Sequence, residues 1–147
     1  MDANSDDNAE IRRLFVEHIS EVASGVVQIK SVARERGYRA IVAVHSTDPR
    51  VCPVGSCVGL RGHRVKTITA QLSGDKVDII RWSESPETLI RNAISPAIAD
   101  HIVFDAAAHS ATIHARPEYR SVILGQDGSR VQLISKLAGW NIRVADT

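Results

Sequence analysis

The sequence predicts an α+β fold made of two small domains in tandem, each ordered helix–strand–strand–helix–helix–strand. Three observations carry this. Stretches with apolar residues at a helical period alternate with Val/Ile-rich stretches of period two. Turn residues punctuate them at regular intervals. An extended pattern also recurs once: Gly59-x-x-Gly62-x-Arg64-Val65-x-x-Ile68 returns as Gly125-x-x-Gly128-x-Arg130-Val131-x-x-Ile134, 66 residues later. That offset is too long for a solenoid repeat and suits a duplicated domain. With 147 residues, 44% of them hydrophobic, the chain can bury one ordinary core or two small ones without staples.

Residues 1–9 are polar and acidic and read as a frayed leader. Ile11, Leu14, Phe15, Ile19 and Val22 then recur at a helical period over 10–23, and Gly25 supplies a stop. Alternation predicts a strand over 26–33, a turn at 34–37 and a second strand over 38–45. Asp48 and Pro49 open a loop. A short helical turn over 53–58 is interrupted at 59–62 and resumes as a helix over 63–72, stopped by Gly74. A third strand is expected over 76–82.

Ser83 to Pro86 marks a boundary, so the reading is a leader and first helix over 1–25, one domain over 26–83 and a second over 84–147. Ser85 suits an N-cap and Pro86 the first helical turn. The helix continues to Ser95 and Pro96 ends it. Strands are expected over 97–105 and 110–116, helices over 117–124 and 129–138, with 125–128 between them, and a last strand over 141–145.

The recurring glycines point to chemistry. A loop between two helices exposes the backbone N–H groups at the start of the second helix, and these favour an anion. Glycines lack Cβ, so a sugar–phosphate backbone approaches closely. Val58, Val65 and strand residues near Val42 are expected to line an apolar groove for bases. This is how KH modules clamp about four nucleotides of single-stranded nucleic acid. The candidate RNA-binding residues are Gly59, Leu60, Arg61, Gly62, His63, Arg64 and Lys66 in the first domain. In the second they are Gly125, Gln126, Asp127, Gly128, Ser129 and Arg130. Arg64 and Arg130 match in the repeat, through either phosphate contact or capping. Arg61 offers a cation where Asp127 offers an anion, so the first loop is expected to bind more strongly.

Net charge is +1, yet residues 1–25 carry six acids against Arg12 and Arg13, leaving +5 for the rest. A local phosphate site needs no strongly basic protein around it. No apolar run nears the roughly 18 residues of a membrane span, and the acidic start is unlike a secretory signal, so a cytoplasmic protein is expected. Cys52 and Cys57, even with His45 and His63 near them, fit no common zinc spacing. They read as a loop residue and a small core residue, with no metal or cofactor expected. There is no phosphate-binding Walker loop, nucleophile elbow or zinc-protease helix. Asp75 and Asp78 read as solvated, and His101, His109 and His114 as surface residues. Catalysis is not expected.

Longer motifs carry a resemblance. Asp-Pro-x-x-x-Pro-Val-Gly-Ser-Cys-Val-Gly (48–59), Arg-Gly-x-Arg-Val (61–65), Leu-Ser-Gly-Asp-Lys-Val-Asp-Ile-Ile-Arg-Trp (72–82) and Asn-Ala-Ile-Ser-Pro-Ala (92–97) are similar to the paired KH domains of the NusA family. So are Ser-Val-Ile-Leu-Gly (121–125) and the stretch 131–140. The resemblance covers about residues 15–145. It implies two type II KH folds packed together, binding to single-stranded nascent RNA, and a role in transcription elongation, termination and antitermination. RNA polymerase or other transcription factors are the implied partners. Bacterial members carry a polymerase-binding domain and an S1 domain ahead of the KH pair, and neither fits in the stretch before the first strand. The second loop departs from the family's basic character at Gln126 and Asp127. The alternative is a protein-interaction scaffold, or a competitor of NusA, with little RNA affinity.

Overall fold

The computed structural model describes residues 3–145. Two compact units, 1–82 and 83–147, divide the chain. In the first, helices α1 (Ala3–His18) and α2 (Ser20–Ala23) lead into strands β1 (Val27–Glu35) and β2 (Arg39–Ser46), helices α3 (Pro53–Val58) and α4 (His63–Gln71), and strand β3 (Lys76–Arg81). In the second, helix α5 (Pro86–Ile94) leads into strands β4 (His101–Asp105) and β5 (Ser110–His114), helices α6 (Pro117–Leu124) and α7 (Ser129–Ala138), and strand β6 (Asn141–Val144). Each unit holds a three-stranded mixed sheet. The middle strand pairs antiparallel with the strand before it and parallel with the last one. The parallel pairing is possible because a helix pair provides the crossover. The fold is therefore α+β in tandem, with the element order of type II KH domains.

The first core gathers Ile11, Leu14 and Phe15 from α1, Ile19 from the break between α1 and α2, Val42 and Val44 from β2, Cys57 from α3, and Ile68 and Leu72 from α4 and its end. The periodicity that predicted the first helix is thus a buried face. Cys57 is the small core residue expected of it, and Cys52 is exposed at the N-cap of α3. In the second unit Leu89, Ile90, Ala93 and Ile94 of α5 are buried, as are Ile123 of α6 and Leu133, Ile134 and Leu137 of α7. Ser85 caps α5, its Oγ accepting from the Thr88 N–H at 3.3 Å.

Several expectations need correction. The stretch 3–9, read as frayed, forms the start of α1. The single helix over 10–23 is two, because Ile19 is extended (φ −127°) and buries its side chain. Arg34 and Glu35 belong to β1 rather than to the turn. Asp75 is not solvated: it is buried, lies 3.0 Å from Arg34 Nη2 and accepts from the Gly37 N–H. Arg34, also buried, reaches Glu10 on α1 at 3.2 Å. Asp78 is likewise paired, with Arg39 at 2.6 Å. The strand expected from residue 97 starts at His101. Ala97 and Ala99 are buried and Ile98 exposed, so their alternation imitates a strand in a segment without ladder pairing. His101 and His109 are exposed, as expected; His114 is half-buried and stacks on His101 at 4.2 Å.

Candidate nucleic-acid interface

Both glycine loops join two helices through one tight turn, and their backbones nearly superimpose in angle. Gly59, Arg61 and Gly62 have φ/ψ of 78/174, 55/28 and 73/15°. Gly125, Asp127 and Gly128 have 72/−179, 56/29 and 75/10°. The sequence repeat is therefore a repeat of geometry. In each loop the first glycine donates to the carbonyl four residues back, closing the preceding helix: Gly59 to Gly55 at 2.9 Å and Gly125 to Ser121 at 3.0 Å. The second glycine donates back to the first. Among the described residues, the N–H groups of Leu60, Arg61, Gln126 and Asp127 find no backbone acceptor.

The two glycines of a loop do different jobs. A Cβ on Gly59 would lie 2.7 Å from Arg64 Cγ, and one on Gly125 would lie 2.6 Å from Arg130 Cβ and 2.8 Å from its backbone nitrogen. The first glycine lets the chain pass against the next helix. A Cβ on Gly62 would come no closer than 3.7 Å to anything, and Gly128 faces open space. The second glycine serves the left-handed conformation and faces the space beside the loop.

Arg64 and Arg130 are occupied by the protein itself. Arg64 Nη1 donates to Ser56 O at 2.8 Å and to the Glu21 carboxylate at 2.8 Å. Arg130 donates to Val122 O at 3.1 Å and to the carbonyls of Ala93, Ile94 and Ser95. Ser56 and Val122 are equivalent under the repeat. Each arginine thus ties the start of the second helix to the end of the first.

The surroundings differ in charge. Leu60, Arg61, His63 and Lys66 of the first domain correspond to Gln126, Asp127, Ser129 and Gln132 of the second. Arg61, His63 and Lys66 are exposed, and neither Arg61 nor Lys66 has an ion-pair partner among the described residues. Leu60 is 85% exposed at the tip. Beside this loop lies an open cleft of about 960 Å³, lined among others by Arg50, Cys52, Arg61, His63 and Lys66. The expected apolar lining from Val58, Val65 and strand residues near Val42 does not line this cleft: Val42 is fully buried in the core, and Val58 and Val65 are half-buried elsewhere. Glu21 and Arg50 line the cleft and no sequence signal marked them. Glu21 is one acid of three in the amphipathic stretch 10–23, and Arg50 sits in an unpatterned loop. No group of three or more His, Cys, Asp or Glu arranged for a metal occurs among the described residues. No helix among them is long and apolar enough to cross a membrane.

Comparison with known proteins agrees with this geometry. Residues 5–82 match the family model of the NusA-like first KH domain and residues 86–147 that of the NusA-like second KH domain. The chain is 42% identical over 132 residues to the transcription termination/antitermination protein NusA of Thermus thermophilus, covering 90% of this chain and 34% of that protein. It is 40% identical over 141 residues to NusA of Rickettsia prowazekii, with coverage of 94% and 28%. With NusA of Bacillus subtilis it shares 39% over 135 residues, with coverage of 91% and 36%. The chain thus spans about a third of the length of these relatives. The solved structure of APE1850 superimposes with a TM-score of 0.64 over 88% of this chain and 96% of its own, at 18% identity, a likeness of fold. With both domain models matched in order and relatives at about 40% identity, the chain belongs to the NusA-like KH-domain family.

Proposed function

We propose that this chain binds single-stranded RNA, without catalysis, through the loop of its first KH domain, and that the second loop contributes less. The carrying observation is the pair of loops with matching backbones and opposite charge. Both present unpaired N–H donors at a helix start, the arrangement that favours a phosphate. Only the first sets free cations, Arg61 and Lys66, beside a cleft. The relatives' name supports a role in transcription termination and antitermination; the wider reading is a cytoplasmic factor that acts in elongation as well. Nascent RNA is then the ligand, and RNA polymerase or other transcription factors the partners.

Polarisation binding with short single-stranded RNA tests this. Gly62→Asp adds a carboxylate in open space beside the loop, and Gly128→Asp does the same in the second domain. Gly62→Asp is expected to weaken binding at least tenfold and Gly128→Asp by no more than about threefold, since each charge-assisted contact is worth about 1.5–3 kcal/mol. Equal losses in two folded variants would overturn the ranking.

A specific observation favours a second reading for the second domain. Asp127 is exposed in the loop and Val122 and Leu124 are partly exposed on α6 before it, a surface better suited to protein than to phosphate. No RNA binding by the whole chain at low salt would leave only the scaffold reading.

A further inference from the structure

The internal repeat supplies a control for Glu21. Arg64 and Arg130 hold their loops alike, each donating to the carbonyl eight residues earlier. The remainder of each guanidinium is satisfied differently. Arg130 takes the carbonyls of Ala93, Ile94 and Ser95 at the end of α5, at 3.3, 3.4 and 3.2 Å. Arg64 takes the carboxylate of Glu21 on α2. The two loops still share their backbone angles to within about 7°. Neutral carbonyls therefore suffice to hold the arginine. Yet Glu21 is the one acid among the described residues lining the first domain's cleft, where its charge opposes any phosphate drawn by Arg61 and Lys66.

We infer that Glu21 reads a base: its carboxylate accepts the paired N–H donors on the Watson–Crick edge of a guanine in RNA held by the first loop. This rests on the RNA-binding reading above. An ionised carboxylate only accepts hydrogen bonds. Guanine alone among the four bases sets two donors side by side, N1–H and the N2 amino group. Adenine and cytosine put a ring-nitrogen lone pair next to their amino group, and uracil flanks its single N–H with two carbonyls. The O6 of guanine, beside N1, suits a cation, and Arg61 and Lys66 line the same cleft. Such edges are open to side chains in single-stranded RNA. Arg64 and the exposed Ser20 hydroxyl both donate to Oε1, at 2.8 and 2.9 Å, so neither of them occupies Oε2. Glu21's own backbone N–H, then Arg64 and Ser20, hold its carboxyl below the usual range, so it is ionised at neutral pH.

The test uses the full chain and labelled oligouridine RNAs of about ten nucleotides. One carries a single central guanosine and another inosine, which lacks the N2 amino group. Wild type is expected to prefer the guanosine RNA over plain oligouridine by about tenfold, with inosine between them. In Glu21→Gln the guanosine-to-inosine ratio falls to about one, while plain oligouridine binds at least as tightly because the opposing charge is gone. The ratio is taken within one protein, so partial loss of folding does not alter it. Wild type without a guanosine preference, or Glu21→Gln with the wild-type ratio, overturns the inference while the RNA-binding reading stands. Failure of every RNA to bind wild type at roughly 50 mM salt overturns both.

Discussion

Arg61 and Asp127 occupy the same left-handed position in their loops, at φ 55 and 56°. Aspartate enters this region readily, whereas a long side chain there costs about 1–2 kcal/mol. The first loop carries an arginine against its own conformational preference, the kind of local strain that persists where a side chain serves a site. Arg61→Asn is therefore expected to raise stability by about 1 kcal/mol in urea unfolding and to lower RNA affinity several-fold. A rise in both would remove Arg61 from the site. The glycines are equally unequal. Gly59→Ala and Gly125→Ala force a Cβ into the following arginine and are expected to cost about 2–3 kcal/mol. Gly62→Ala and Gly128→Ala meet only the φ penalty of about 1 kcal/mol. The sequence marked all four glycines as loop residues, but a Gly-x-x-Gly spacing carries no information on which Cβ would collide. The cysteines divide similarly. Burial, then the Glu21 charge, pushes the Cys57 thiol up to about 12. A thiol reagent at neutral pH is expected to label Cys52 rapidly and Cys57 only on unfolding. Two fast thiols would contradict the buried placement.

At the element scale, strands and helices were largely readable because each presents one apolar face, and that periodicity is local. Polar side chains that reach between elements were not readable. Asp75 follows Gly74 at a helix–strand junction, where an acid is usually solvated, but the fold brings Arg34 from β1 within 3.0 Å of it. Their side chains are 8% and 4% exposed, and Glu10 extends the network to α1. Removing Asp75 takes a buried partner from Arg34 and an acceptor from the Gly37 N–H, so Asp75→Ala is expected to cost about 3 kcal/mol, read as a lower urea midpoint with unchanged slope. A loss below about 1 kcal/mol would show that the remaining partners of Arg34, Glu10 among them, satisfy it. Arg64 and Arg130 teach the same lesson. Sequence matched them across the repeat, but whether they point to solvent or back to Ser56 and Val122 depends on how the helices meet. The link from α2 to the loop also has a defined pH sign. The Glu21 carboxyl lies below its ordinary value of 4.5 in the folded chain. The stability it lends is fully present above about 4.5 and is lost as pH falls through the lowered folded value.

For the molecule as a whole, the duplication was visible because the loop, the arginine and the two apolar helix positions all recur in one register. The charge was visible too, but only as composition. A net charge of +1 with an acidic first 25 residues creates little long-range attraction for nucleic acid. Binding must then come from local contacts, made where Arg61, Lys66 and the loop N–H groups converge. A single loop engages about three to five phosphates, and each one neutralised by a cation in a single strand contributes about 0.7 to the salt slope. With Arg61 and Lys66 as the loop's free cations and Arg50 beside them, the logarithm of the binding constant is expected to fall with the logarithm of salt concentration at a slope of about −1.4 to −2.1. Contacts made by backbone N–H groups and by Glu21 add affinity without adding slope, which places Glu21→Gln at the wild-type slope or slightly above it. A slope steeper than about −5 would require both domains to grip phosphate together, and the anion at Asp127 stands against that. Measuring the slope for wild type, Gly62→Asp and Gly128→Asp decides the question, because only a domain that contacts phosphate can change it.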